Sequence, residues 1–277
     1  MNRDLKSWIV VLAVGVFLSI GTFHSFSALN FSDNFQGYTT DPTAQSGGTG
    51  DWNSPWTQGT QNDGGTFLSE ASKIDGTRAY GFFGNSGSMG TSRNRGFTAT
   101  SSQFTINLSF RADYNVTSDD GSALLSRRLA FTIRDGNSTD HFSGQRLSFY
   151  FAEGNNSFQW FDGTDRTLSG VTFSSGAIYD IAVTVNPSTR AYNFSVAQRG
   201  GSSGSSSGSW TVGANGEALD SIALLMRGPA GPGNDAFFDS ITAVPEPSNV
   251  ALGIFGGIVG LIVIGRRMIA FAKNRAS

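Results

Sequence analysis

Breaking a glycosidic bond takes two carboxylates about 5 to 10 Å apart, on alternate residues of one strand or on neighbouring strands. Between residues 28 and 243 the only glutamates are Glu70, Glu153 and Glu217, and no Glu-x-Asp-x-Glu run occurs. Glu153 stands in a Glu-Gly-Asn-Asn turn and Asp162 and Asp165 flank Gly-Thr, positions that hairpin chemistry explains. A Ser/His/Asp arrangement would depend on His141, beside Asp140, without a Gly-x-Ser-x-Gly elbow, so His141 reads as a solvated loop histidine. Cysteine is absent, which removes thiolate nucleophiles, thiolate metal sites and disulfides together. With only His24 besides, a histidine-rich metal centre is excluded as well. These residue types point away from catalysis.

They leave room for binding. An exposed indole face stacks on the apolar face of a sugar ring, and Trp52, Trp56 and Trp160 are the candidates. Trp52 and Trp56 lie in Asp51–Thr57, a loop-like stretch without periodicity, where packing over an open end of the fold competes with ligand contact. Trp160, between Phe158 and Phe161, has a core position as its competing reading. Arg93 and Arg95, in a Gly/Ser/Asn-rich stretch, could meet an acidic polysaccharide or simply be solvated. Asp135-Gly136-Asn137 begins like a calcium loop, but position six is Asp140 and position twelve Arg146, so it is no EF-hand.

The elements that must position these residues are strands. Phe104 to Tyr114 alternates apolar and polar residues without a fault, and shorter alternations recur at Leu129–Ile133, Leu147–Phe151, Tyr179–Val185, Tyr192–Val196 and Ile222–Met226. Strands with one apolar face need a second sheet against them, which predicts an all-β antiparallel sandwich over residues 28–243. Gly200–Ser209 offers no apolar side chain to bury and is expected to be a mobile loop. The opening Phe31-Ser32-Asp33-Asn34-Phe35, the long strand from Phe104, the hairpin Tyr179–Val196 and the closing Phe237-Phe238-Asp239-Ser240-Ile241 resemble a concanavalin-A-like or laminin-G-like jelly roll. That resemblance implies first and last strands side by side and, often, a structural calcium there. Asp33 and Asp239 would supply its hard oxygen ligands; otherwise they are ordinary strand-end residues. A divergent jelly-roll hydrolase or lyase is the enzymatic alternative.

Both ends of the chain carry export signals. Arg3 and Lys6 precede an apolar run from Trp8 to Ile20, and small residues around Ser27 suit cleavage, so residues 1–27 read as a signal peptide delivered to the secretion translocon. At the other end, Pro245 and Pro247 are expected to keep 244–248 out of any sheet. The uncharged run 250–265 follows, as a single transmembrane helix, and Arg266 and Arg267 stop it on the cytoplasmic side of the inner membrane. What remains, 28–243, holds 13 basic and 19 acidic residues, a balance of −6 that argues against nucleic acid as partner. Val244-Pro245-Glu246-Pro247-Ser248, the glycine-rich span and the arginine cluster, in that order at the chain end, resemble the PEP-CTERM sorting signal of exopolysaccharide-producing bacteria. The tail departs from it only in running ten residues past Arg267. The resemblance implies an exosortase as processing partner and delivery to the cell surface or extracellular matrix, with extracellular polysaccharide as a possible ligand; a permanent anchor is the competing reading.

Overall fold

The computed structural model describes residues 29–62, 65–69, 73–76, 78–83, 90–118, 127–136, 138–213, 218–228 and 234–245. The expected signal peptide, Glu246–Ser248, the apolar run 250–265 and Arg266–Arg267 lie outside the described residues. No helix among the described residues is long and apolar enough to cross a membrane.

Sixteen strands form among the described residues. They are β1 (Phe31–Asp33), β2 (Thr49–Gly50), β3 (Thr57–Asn62), β4 (Thr66–Leu68), β5 (Tyr80–Phe82), β6 (Thr91–Thr100), β7 (Phe104–Ala112) and β8 (Arg127–Arg134). Then follow β9 (Gln145–Ala152), β10 (Asn155–Phe161), β11 (Asp165–Thr172), β12 (Ile178–Asn186), β13 (Ala191–Gln198), β14 (Ser203–Ser209), β15 (Leu219–Met226) and β16 (Ala236–Pro245). They build two antiparallel sheets. A nine-stranded sheet runs β14-β13-β12-β7-β16-β1-β2, with β5 also on β16 and β4 on β5; a seven-stranded sheet runs β11-β10-β9-β8-β15-β6-β3.

Alternation decides which face each strand buries. Tyr179, Ile181, Val183 and Val185 of β12 point inward while their neighbours stay half-exposed, and Phe104, Ile106, Leu108 and Phe110 point inward in β7, where only Ser109 among the residues between them is buried as well. The inner faces interlock through aromatic edges: Phe149 meets Phe194 at 5.0 Å and Trp160 meets Phe194 at 5.2 Å between ring centroids. Tight turns close the hairpins, with Glu153-Gly154 joining β9 to β10.

Two expectations give way here. Ser203–Ser209 is a strand, paired along its length with β13, rather than a loop. An edge strand needs only backbone bonds on one side, and small residues let it lie close to its neighbours. A Cβ on Gly204 would come within 2.9 Å of Leu168. The boundary at residue 244 also moves. Val244 and Pro245 continue β16, opposite Thr105 and Phe104, and the proline takes the last rung, where its missing donor interrupts no later pair.

Candidate functional site

The first and last strands are neighbours: Phe31 faces Ala243 and Asp33 faces Ile241. Asp33 therefore points between the sheets, where its carboxylate gathers four donors. Tyr38 Oη, Trp56 Nε1 and Arg95 Nη1 reach Oδ2 at 2.6, 3.0 and 2.5 Å, and the Phe35 amide reaches Oδ1 at 3.1 Å. Burial, then the charge of Asp33, raise the Tyr38 phenol well above its ordinary value, so it stays a donor. Arg95 is only 1% exposed. Its strand pairs it with Ile222, on the core side of β6, just as Arg93 is paired with Leu224. Both arginines are thus interior residues and not solvated ones; Arg93 donates to Thr43 and Thr66.

The remaining nitrogens of Arg95 lead outward. Nη2 donates to the Gly47 carbonyl at 2.5 Å and Nε to the Ser54 carbonyl at 3.0 Å, so one guanidinium ties the 46–55 loop to the core. The loop depends on glycine for its path. Gly50 has φ +89°, and a Cβ there would sit 2.1 Å from the Asn30 carbonyl oxygen. Gly50→Ala should therefore lower stability by about 2–3 kcal/mol, read as a lower urea midpoint.

Between loop and sandwich lies an open groove of about 300 Å³, lined by Ser46, Thr49, Trp52, Asn53, Ser54 and the glycine backbone, with Arg95 in its wall. Trp52 is half-buried. Its ring packs against Phe31 at 4.0 Å and the Arg95 guanidinium at 4.2 Å, and its Nε1 donates to the Ser32 carbonyl at 3.3 Å. Because Asp33 neutralises Arg95, the groove offers hydroxyls, an amide and an indole without net charge. Such a lining presents hydrogen-bond donors and acceptors beside an apolar ring and holds no nucleophile–base pair.

The other predicted site residues separate from it. Trp56 has no exposed surface, and Trp160, 7% exposed, donates to Tyr192 Oη at 2.8 Å across the core, so neither ring face is open to a sugar. Asp239 does not join Asp33. A bulge with Ser240 at φ 54° interrupts β16 between Asp239 and Thr242. Asp239 thereby falls opposite Ser109, on the outer side of the sheet, whereas Asp33 and Ile241 face inward. With Asp33 committed to a guanidinium and Asp239 on the other face, these two residues do not fit a calcium ion. Among the described residues, no group of three His, Cys, Asp or Glu could hold a metal.

Four carboxylates on or beside the seven-stranded sheet are held by arginines, while Asp220 of β15 accepts from the Gly136 amide at 2.7 Å. Arg128 reaches Glu153 at 2.6 Å, Arg127 reaches Asp165 at 2.8 Å, Arg146 reaches Asp135 at 2.9 Å and Arg166 reaches Asp162 at 2.9 Å. His141 is fully buried under the turn before β9, its Nε2 3.0 Å from Thr132 Oγ1. Burial holds its pKa well below the usual value, so the expected loop histidine is a neutral interior one.

Comparison with solved structures bears on the architecture. The catalytic domain of a glycoside hydrolase family 131 protein from Coprinopsis cinerea aligns with 79% of this chain and 95% of its own, at 11% identity and TM-score 0.51. The lectin I-B4 from Griffonia simplicifolia covers 79% of this chain and 100% of its own at 10% identity and TM-score 0.48. Arcelin-5, a lectin-like defence protein from Phaseolus vulgaris, covers 79% and 99% at 11% identity and TM-score 0.48. No protein-family model matches the chain, and no curated protein does. The strand order and the likeness to the hydrolase domain show the fold alone, a two-sheet antiparallel β-sandwich of jelly-roll type.

Proposed function

We propose that this chain is an exported, non-enzymatic cell-surface or matrix protein whose β-sandwich binds neutral polysaccharide, and whose tail is the substrate of an exosortase. The observation that carries the binding half is the groove beside Trp52, which sets hydroxyls and an amide beside the apolar faces of Trp52 and Pro55, with its one cation neutralised from below by Asp33. The arginine partners of Glu153, Asp165, Asp135 and Asp162 support the non-enzymatic reading, since a hydrolase needs one carboxyl free to donate a proton and a second free to attack or activate water. The export and sorting half rests on the order of the sequence signals at the two chain ends.

Affinity electrophoresis through gels containing neutral or acidic polysaccharides tests the binding half. The native protein should be retarded by at least one neutral glycan. Trp52→Ala and Thr49→Ala should each weaken that retardation, the former by about tenfold or more, while thermal melts confirm that both variants are folded. No retardation by any glycan, or full retardation of both variants, would refute the assignment.

A further inference from the structure

The edge of a sheet presents a row of backbone donors and acceptors that the sheet itself leaves unused, and folded proteins blunt such edges against pairing with another chain. Among the described residues, four of the five edges here are blunted. β2 has two residues and β4 three. β3 shifts register between Gln58 and Asn62. β11 loses register between Leu168 and Thr172 and carries Asp165 and Arg166. β14, Ser203–Ser209, has none of these devices. It pairs with β13 at seven successive positions without a shift, contains neither proline nor a charged residue, and ends the nine-stranded sheet. The ladder also fixes which of its groups face outward. Just past the strand, Trp210 donates to the Arg190 carbonyl at 3.1 Å. By alternation from there, Gly204, Ser206 and Gly208 turn their amides and carbonyls to β13, and Ser203, Ser205, Ser207 and Ser209 turn theirs to the open side. The strand reads the same in both directions: Ser-Gly-Ser-Ser-Ser-Gly-Ser is a palindrome about Ser206.

We propose that β14 pairs antiparallel with β14 of a second copy of this chain, about a two-fold axis at Ser206. Ser203 then faces Ser209 of the partner subunit and Ser205 faces Ser207 of the partner subunit. These pairs, each made twice by the symmetry, exchange about eight N–H···O bonds. Ser206 meets its own copy across a non-hydrogen-bonded pair, and Gly204 meets Gly208 of the partner subunit, so no bulky side chain intrudes and no like charges meet. Because the contact uses the same edge on both copies, it closes at a dimer and does not grow into a filament. β2, beside the Trp52 groove, lies at the far end of the same sheet. The dimer therefore sets its two grooves about 60 Å apart along one joined sheet. On the binding reading proposed above, one particle would then bridge two glycan chains.

The test is cross-linking of the full chain through a single introduced thiol, which is unambiguous because the chain has no cysteine. Across a non-hydrogen-bonded pair the Cα atoms are about 4.5 Å apart, within reach of a disulfide. Ser206→Cys is therefore expected to run as a covalent dimer on non-reducing gels after copper-catalysed air oxidation. Ser203→Cys alone is expected to stay monomeric, since the two-fold axis places its two copies roughly 20 Å apart along the strands. Ser207→Pro removes an outward donor and none of the bonds to β13. Added to Ser206→Cys, it should remove most of the dimer band while leaving the thermal melt unchanged. A folded Ser206→Cys chain that stays monomeric, equal cross-linking of Ser203→Cys, or a dimer band unaffected by Ser207→Pro would each overturn the pairing. No glycan enters the measurement, so its result is independent of whether the groove binds polysaccharide.

Discussion

Asp33→Asn should lower the stability of the folded protein by about 3–5 kcal/mol, seen as a large fall in the urea midpoint at nearly constant slope. The substitution keeps the side chain's shape but strips the counter-ion from Arg95, which is only 1% exposed. The amide also cannot accept as well from Tyr38 and Trp56, whose donors both converge on Oδ2. Removing one member of a buried pair costs more than removing both, because the survivor is left charged in a poor solvent. The double variant Asp33→Asn/Arg95→Gln should therefore lose less than the sum of the two single losses. Strict additivity would show that the pair is not the keystone of this end of the sandwich. Since Arg95 also holds the Gly47 and Ser54 carbonyls, both single variants should loosen the groove loop and shift Trp52 fluorescence.

Asp239 predicts an effect of opposite sign. Burial pushes its carboxyl up to about 7, and the charges of Asp75 and Asp33 push the same way, against the hydrogen bonds from the backbone amides of Ser240 and Asp75. The folded chain thus holds this proton to near-neutral pH, whereas the unfolded chain releases it near pH 4. As pH rises between those values the unfolded state binds fewer protons than the folded one, so stability falls and levels off above about pH 7. Asp239→Asn should recover that loss, by at most about 4 kcal/mol at pH 8 and by little at pH 4. Urea titrations of both proteins at the two pH values read it directly. A gain that does not change with pH would mean Asp239 is ionised in the folded state throughout. Arg199, with two 2.6 Å bonds to Asp75, holds that carboxyl below its usual value and acts in the opposite sense at acid pH. The comparison between variants removes this contribution.

What could be read from the sequence was whatever alternation records. The apolar faces of β7, β12 and β13 follow from period-two patterning, and so does the two-sheet architecture. Alternation is silent where the inward residue is not apolar. Thr91–Thr100 looks like a polar loop because its inward positions include Arg93 and Arg95, whose partners stand up to 62 residues away in sequence. Ser203–Ser209 shows no pattern because an edge strand of serine and glycine buries almost no side chain. The bulge at Ser240 reverses the face of Asp239, and nothing local marks it, since serine rarely adopts positive φ. Of the three candidate tryptophans, Trp52 alone is not buried; Trp160 already has a core position as its competing reading from its phenylalanine neighbours, whereas Trp56 shares its loop-like stretch with Trp52 and nothing local separates them.

The place of β16 has a consequence for assembly in time. This last strand lies inside the nine-stranded sheet, with β7 on one flank and β1 and β5 on the other, and it joins Phe31 to Ala243, more than two hundred residues later. Until it is inserted, that sheet exists as two separate halves, and so high a contact order makes closure slow. Whether on a ribosome or, on the export reading proposed above, at a translocon, a chain that emerges from its amino terminus cannot complete this core until residues up to Pro245 are free, and it commits to its native topology only then.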